Sequence, residues 1–450
     1  MQEERSVLRE RAGVFAIYLV ILFINAFVDL GHKIIISNTI FYTYDEQMQL
    51  ILTPIVNAMI LVPFVLLFTL SGHLSDKFAK PYIMRWSAFA AVLITLSITY
   101  CYYHGLYKSA FGFTLILATQ SAIYSPAKYG YIRECLKKSG LSIGNAYVQA
   151  ITLTSILLGT LLFTKLFFDI GFSEEEVQLL EQHLMTPEEI LLHIAPLGWV
   201  LVGLSLVELL ATFGVRFYAT QFSKVKLSFQ KLITLQYLAG NIRGIKNNQI
   251  IWYSILGTAI FWSMSQNLVA VFPAHAKFHY GITDVFTVNA MLALSIIGIM
   301  VGAYLSARKS INTVRVKNIY IGSTVITVCA ILVPVISSLS FLQNIAIEIA
   351  GYITSPALIL VSMTILLFGV GAGMMIVPLN ALMQGHAAKD GLGGMLAGKN
   401  WIQNVAMLGL LALTALLAIL NKNSEFILYL NALIALVGFT VVLKKLKALL

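Results

Sequence analysis

The chain reads as long apolar runs separated by short polar breaks, with almost no stretch of strict two-residue alternation. A membrane-crossing helix needs about 20 mostly apolar residues. Twelve stretches meet that length, at approximately 13–36, 50–71, 83–103, 109–127, 143–168, 195–215, 249–273, 285–307, 317–339, 355–384, 394–419 and 425–443. The pattern therefore predicts an all-α integral membrane protein with twelve transmembrane helices. The first run is too long, and too polar at its end, for a cleaved signal peptide. It is also interrupted: Asp29, His32 and Lys33 lie inside it. A charge at membrane depth costs roughly 2.5–3.5 kcal/mol on insertion scales, so these groups must face a protein interior or a water-filled path. Asp29 and Lys33 are spaced to share one helical face, which predicts that they partly neutralise each other.

Composition agrees with the pattern. Hydrophobic residues make up 58% and charged residues 11% of the 450, against about 25% charged in soluble domains. The mean hydropathy is +0.84. Three cysteines, Cys101, Cys135 and Cys329, form no metal-binding or disulfide spacing. The net charge of +10 would suit nucleic acid, but its distribution says otherwise. With the N-terminus inside, the tail and the even-numbered loops collect 25 of the 30 basic residues, leaving only Lys33, Lys108, Lys165, Lys277 and Lys422. That asymmetry places both termini in the cytoplasm, and the charge encodes topology, not a nucleic-acid partner.

The longest basic connection, 216–248, falls at the midpoint, so the chain divides into a six-helix half at 1–215, a cytoplasmic linker, and a second six-helix half at 249–450. The halves echo each other. Gly144-Asn-Ala-Tyr147-Val148-Gln149 opens span 5 and Gly398-Lys-Asn-Trp401-Ile402-Gln403 opens span 11. Pro126 is expected to end span 4, and Pro378 lies near the end of span 10. Gly72-His-Leu74-Ser75 is matched by Gly302-Ala-Tyr-Leu305-Ser306, and Phe23…Asp29-Leu30 more weakly by Phe261…Asn267-Leu268. Between spans 5 and 6, Ser173 with Glu176 and Thr186-Pro187 with Glu189 spell two capping boxes, which predict two short amphipathic helices.

The loop after span 2, Gly72-His-Leu-Ser-Asp76-Lys77-Phe-Ala-Lys80, resembles the signature loop of the major facilitator superfamily, G-x-L-x-D-(basic)-x-G-(basic), with Ala79 in place of the second glycine. The resemblance implies a conformational switch at Gly72, Asp76, Lys77 and Lys80, with Arg133 as a partner for Asp76. Ser125-Pro126-Ala127-Lys128-Tyr129-Gly130, Val377-Pro378-Leu379-Asn380-Ala381-Leu382 and Ala397-Gly398 through Gln403-Asn404 narrow it further. So do Asp29, Phe261-Trp262 and Gly281-Ile-Thr-Asp284. Together they look like the bacterial lysophospholipid transporters of that superfamily, which bring lysophosphatidylethanolamine-like lipids across the inner membrane for reacylation. The implied fold is the major facilitator fold of two pseudo-symmetric halves. The implied partners are membrane lipids and a separate cytoplasmic-side acyltransferase; no fused acyltransferase domain is expected. Relatives carry a basic residue at the position of Val269 and lack His32-Lys33, so either Lys33 supplies the missing cation or headgroup preference has changed.

The residues themselves suit such a cargo. A lysophospholipid carries one acyl chain, a phosphate and often an ammonium group. Asp29 can meet the amine, and Lys33 or Lys128 the phosphate. Amides at helical spacing, Asn145/Gln149, Asn380/Gln384 and Asn400/Gln403/Asn404, can hold phosphate and glycerol oxygens or simply join helices. Glu208, in span 6, is left without an assignment. His279-Tyr-Gly-Ile-Thr-Asp284 fits an acyltransferase pattern but sits in a short loop, and Gly369-Val-Gly371-Ala-Gly373 reads as close helix packing, since no strand precedes it. No enzyme activity, nucleotide or cofactor is expected, while coupling to sodium ions or protons stays open. Two alternatives remain: a major facilitator transporter of another amphipathic molecule or drug, and a non-transporting lipid sensor or acyltransferase-docking protein.

Overall fold

A computed structural model describes residues 11–136, 141–218, 236–308, 316–339, 347–349, 352–387 and 392–450. Among the described residues the regular elements are helices, apart from one hairpin of two three-residue strands, β1 (Ile347–Ile349) and β2 (Tyr352–Thr354), paired antiparallel with Ile347 opposite Thr354. Ten described helices are long and apolar enough to cross a membrane. The pair Pro187–His193 and Pro196–Thr212, bent by 61°, passes as an eleventh. The remaining predicted span is a 30-residue helix at Tyr107–Leu136; it is long enough, but Gln120, Ser121 and Lys128 make it less apolar.

Contacts divide the chain into two compact units. The first comprises Met1–Thr43 and Met59–Tyr237, the second Tyr44–Ala58 and Leu238–Leu450. In the first unit, the long helices are α1 (Ala12–Thr43), α4 (Lys80–Tyr103), α5 (Tyr107–Leu136), α6 (Leu141–Gly171) and α9 (Pro196–Thr212). Helix α2 (Glu46–Leu66) breaks at Leu67 before α3 (Phe68–Lys77). Helix α1 packs on α6, α9 and α5; α4 packs on α9 and α5; α3 packs on α5. The α1–α6 crossing is close because Gly31 has no side chain to meet the ring of Phe163, and Ser155 donates to Phe23 O across it at 2.8 Å. The two predicted capping boxes are both formed, at α7 (Glu174–Glu181) and α8 (Pro187–His193). Pro126 does not end its helix: α5 continues to Leu136. A proline removes one backbone donor, and neighbouring helices let membrane helices tolerate that loss.

The second unit repeats the arrangement. Its helices are α10 (Gln236–Lys246), α11 (Gln249–Tyr280), α12 (Val285–Arg308), α13 (Val316–Ser338), α14 (Pro356–His386), α15 (Leu392–Ile419) and α16 (Ser424–Leu449). Helix α11 packs on α15, α16 and α14; α13 packs on α16 and α14; α12 packs on α14. Each contact has its counterpart in the first unit, so the echoes in sequence mark equivalent positions in two like folds. The α12–α14 crossing is the tightest. Gly298 and Gly302 face Gly369 and Gly373, where a side chain on any of the four would meet backbone; the glycine run of span 10 is a packing surface. The stretch Tyr44–Ala58 is bound into this unit. Ser424 N, an orphan donor at the start of α16, reaches Glu46 Oε1 at 2.9 Å, His279 Nε2 lies 3.4 Å from the same oxygen, and Gln266 donates to Asn57 at 2.7 Å.

Candidate functional site

The polar cluster in the first unit is built where α1, α5 and α9 meet. Asp29 of α1 accepts a short hydrogen bond from Ser121 of α5, and Ser121 is also 3.0 Å from Gln120 Oε1. Gln120 in turn donates to Ser87 O of α4 at 3.0 Å. About two helical turns beyond Ser121, half-buried Lys128 interacts electrostatically with both Asp29 and Glu208 of α9. Glu208 is only 1% exposed, and the Asn25 side chain interacts with it. Two carboxylates thus act on one ammonium.

This differs from the expected pairing. No ion pair joins Asp29 to Lys33. Asp29 is turned toward α5, while Lys33, one turn on, is half-buried without an ionic partner among the described residues. The spacing allowed the contact; a neighbouring helix with a hydroxyl and a lysine outcompeted it. His32 is structural. Its Nε2 lies 3.1 Å from Ala110 O, which can only accept, so Nε2 carries the proton and Nδ1 accepts from Tyr102 Oη at 2.8 Å. That neutral ring ties α1 to α4 and α5.

The loop residues sit at the ends of α3 and α4. Gly72 has open space around it, Asp76 and Lys77 are exposed, and Asp76 makes no ion pair with exposed Arg133. Instead Lys80 binds Glu134, Arg133's neighbour, at 3.1 Å. Of the predicted amides, Asn145 and Gln149 are both exposed on α6.

In the second unit, Asn380 accepts from Lys399 Nζ at 2.8 Å, and buried Gln403 donates to Thr258 Oγ1 at 2.8 Å. Gln384 and Asn400 are exposed and Asn404 is half-buried. Asn267, the weak sequence echo of Asp29, accepts from Thr414 at 2.6 Å, and the ring of Phe261 packs at a tilt against Phe368. Sequence reasoning passed over Ser121, Asn25 and Lys399, and left Glu208 unassigned. The signal available was a polar residue at membrane depth, the same one that singled out Asp29.

Comparison with known proteins now bears on these features. A family profile described as Major Facilitator Superfamily matches residues 14–408, most of the chain. The chain belongs to the major facilitator superfamily. Among curated relatives, the lysophospholipid transporter LplT of Shigella flexneri is 27% identical over 368 residues, covering 81% of this chain and 79% of that protein. The same-named protein of Escherichia coli O157:H7 gives the same identity and coverage. Solved structures share the fold at low identity. A bacterial homologue of the iron transporter ferroportin in an inward-facing state matches with a TM-score of 0.63 at 12% identity, covering 97% of this chain and 99% of that one. The POT family transporter PepTSo matches with a TM-score of 0.65 at 10% identity, covering 97% and 98%. The fold is therefore that of a multi-span membrane transporter.

Proposed function

We propose that this protein is an alternating-access transporter that moves lysophospholipids of the lysophosphatidylethanolamine type across the bacterial inner membrane, both termini cytoplasmic, for reacylation by a separate acyltransferase. The observation that carries the reading is the Asp29–Ser121–Lys128 arrangement, a carboxylate bound to a hydroxyl of α5 and within electrostatic reach of an ammonium on the same helix. An amphipathic zwitterion needs that combination: a carboxylate for the ammonium, a cation for the phosphate, and apolar walls for the acyl chain. The LplT relatives, whose printed name is lysophospholipid transporter, support the same cargo. Lys128, which lies near Asp29, replaces Lys33 as the phosphate partner. The exposed amides of the same unit, Asn145 and Gln149, serve as further contacts for headgroup oxygens. Sugar carriers need many cavity hydrogen-bonding groups, and the polar groups here are few and clustered, which favours a lipid over a sugar.

The test is uptake of labelled lysophosphatidylethanolamine into proteoliposomes holding the purified protein. Uptake above protein-free vesicles, lost in Asp29→Asn, is the expected result. Absence of uptake, with transport of an unrelated amphipathic drug instead, would transfer the protein to the alternative reading.

A further inference from the structure

The internal repeat brings a lysine and an asparagine to the same pair of positions in both units. The strings around Pro126 and Pro378 align Lys128 with Asn380, each two residues after its proline. The strings that open spans 5 and 11 align Asn145 with Lys399, each one residue after its glycine. The cation thus sits on α5 in the first unit and on α15 in the second. In the second unit the two side chains meet: Lys399 Nζ donates to Asn380 Oδ1 at 2.8 Å, and both are half-buried. Asn380 precedes the end of α14, and Lys399 follows the start of α15, by about 10 Å each at the rise of a helix. A lysine that only anchored a helix end would carry its ammonium out to water; this one is held on the amide of a neighbouring helix.

What the pair lacks is an anion. Lys399 makes no ion pair among the described residues. Helices α10–α16 contain one acidic residue, Glu425, in the first turn of α16. The bound stretch Tyr44–Ala58 adds Asp45 and Glu46, and Glu46 is fixed to Ser424 at that same end. Lys399 lies about 30 Å along α15 from the end that leads into α16. Asp390, between α14 and α15, is outside the described residues. Lys128 differs, because Asp29 and Glu208 both act on it. A lysine can only donate, so Asn380 must turn its oxygen to Nζ and its amide nitrogen is left to donate elsewhere. The pair therefore offers ammonium and amide N–H groups and no acceptor, with a positive charge inside a span, where an uncompensated charge is costly. Phosphate oxygens match such a set of donors. Met383, Met395, Leu396 and Ile402 of the same two helices join one apolar cluster with Trp252, which favours the phosphate of a lipid over a free ion. We propose that Lys399 and Asn380 form a phosphate subsite in the second unit that takes the phosphate of a lipid headgroup. With no carboxylate beside it, the subsite reads the phosphate and not an amine. That the lipid is the transported one rests on the function proposed above; the binding chemistry does not.

The test is isothermal calorimetry on the purified protein in a maltoside detergent, which brings no phosphate. Lysophosphatidylglycerol, with a phosphate and no amine, is the probe, and a monoacylglycerol of the same chain is the control. All variants carry Lys128→Ala, which removes the cation of the first unit. The Lys128→Ala protein should still bind the probe. Adding Lys399→Ala should weaken that binding at least about ten-fold, adding Lys399→Arg should keep most of it, and none of the changes should alter binding of the control. Adding Asn380→Asp gives Lys399 an internal anion. It should weaken the probe as much as Lys399→Ala does while thermal stability holds or rises, a result that a mere tie between helices does not produce. Absence of probe binding in Lys128→Ala overturns the proposal, as does unchanged binding in Lys399→Ala or in a folded Asn380→Asp protein. Should Lys399→Ala fail to fold, Asn380→Asp and Lys399→Arg decide. Inorganic phosphate binding as tightly as the probe overturns the assignment to a lipid. Two-chain phosphatidylglycerol separates the lipid sources: equal binding supports a phosphate subsite for bilayer lipid, and preference for the one-chain probe supports one for cargo. Failure of the wild type to take up lysophosphatidylethanolamine would count against the function proposed above, and the calorimetry still tests the subsite.

Discussion

Gly302 offers the cleanest test of how the second unit is held together. Replacing its hydrogen with a methyl group would set a Cβ against the carbonyl of Val370 on α14, 2.8 Å from Val370 C and 3.0 Å from Met374 N. Non-bonded carbon contacts settle at about 3.5–4.0 Å, so the two helices must part by about 1 Å at that level. The obstacle is backbone, and no side-chain rotation relieves it. Overpacking costs about 1–3 kcal/mol, and the upper part of that range applies here. Alanine is the better helix former by about 1 kcal/mol, which offsets part of the loss and leaves Gly302→Ala destabilised by about 1–2 kcal/mol. Gly409, in α15, has nothing within 4 Å of a notional Cβ; there the propensity gain stands alone and Gly409→Ala should be neutral or slightly stabilising. Thermal unfolding of both variants in detergent, read by loss of the monodisperse peak, compares them directly. If Gly302→Ala melts with Gly409→Ala at or above wild type, the glycine faces are not what brings α12 and α14 together, and the packing argument fails.

Lys128→Ala should weaken lysolipid binding and uptake at least ten-fold while Lys128→Arg keeps much of it, since both basic side chains present a cation to phosphate; equal binding by the alanine variant would reduce Lys128 to a topology anchor. Asp76→Asn should slow uptake with thermal stability nearly unchanged, because Asp76 is exposed and has no ion pair among the described residues; full flux from a folded variant would remove it from the switch. The stability effects of Asp29→Asn and Lys33→Gln should add within about 0.5 kcal/mol in a double-mutant cycle, as expected of two groups with no ion pair between them, and a larger coupling would show that they interact. The capping box of α7 holds the Glu176 carboxyl below its usual range, mainly through the Ser173 backbone N–H and secondarily the Ser173 hydroxyl. Its contribution is therefore complete above the ordinary glutamate range and lost as pH falls through the lowered value. Amide exchange across 174–181 should rise below about pH 4 relative to neutral pH, and Glu176→Gln should abolish that change.

The spans, the repeat and the two capping boxes were legible because each rests on a local pattern: apolar length, matched strings, a hydroxyl three residues before a glutamate. Helix ends were less so. Helix α1 runs to Thr43, well beyond the apolar run that defined it, and α5 passes through Pro126. The hairpin β1–β2 carried no signal that separates it from a connector. The site shows the same division. A carboxylate at membrane depth announced itself in Asp29, but its partner did not. On one helix the choice between Lys33 at i+4 and nothing looked forced, whereas the fold presents Asp29 with Ser121, 92 positions away, with Lys128 of the same helix, and with Glu208 from α9. Spacing enumerates the contacts a helix permits; which of them forms depends on what the adjoining helix brings at the same depth. The cost of an isolated charge in the membrane makes that competition decisive. A polar residue found in one span is thus best read as a demand for complementary groups in the others, and the four polar positions Asn25, Asp29, Lys128 and Glu208 answer one another in that sense although no two helices alone would have suggested it.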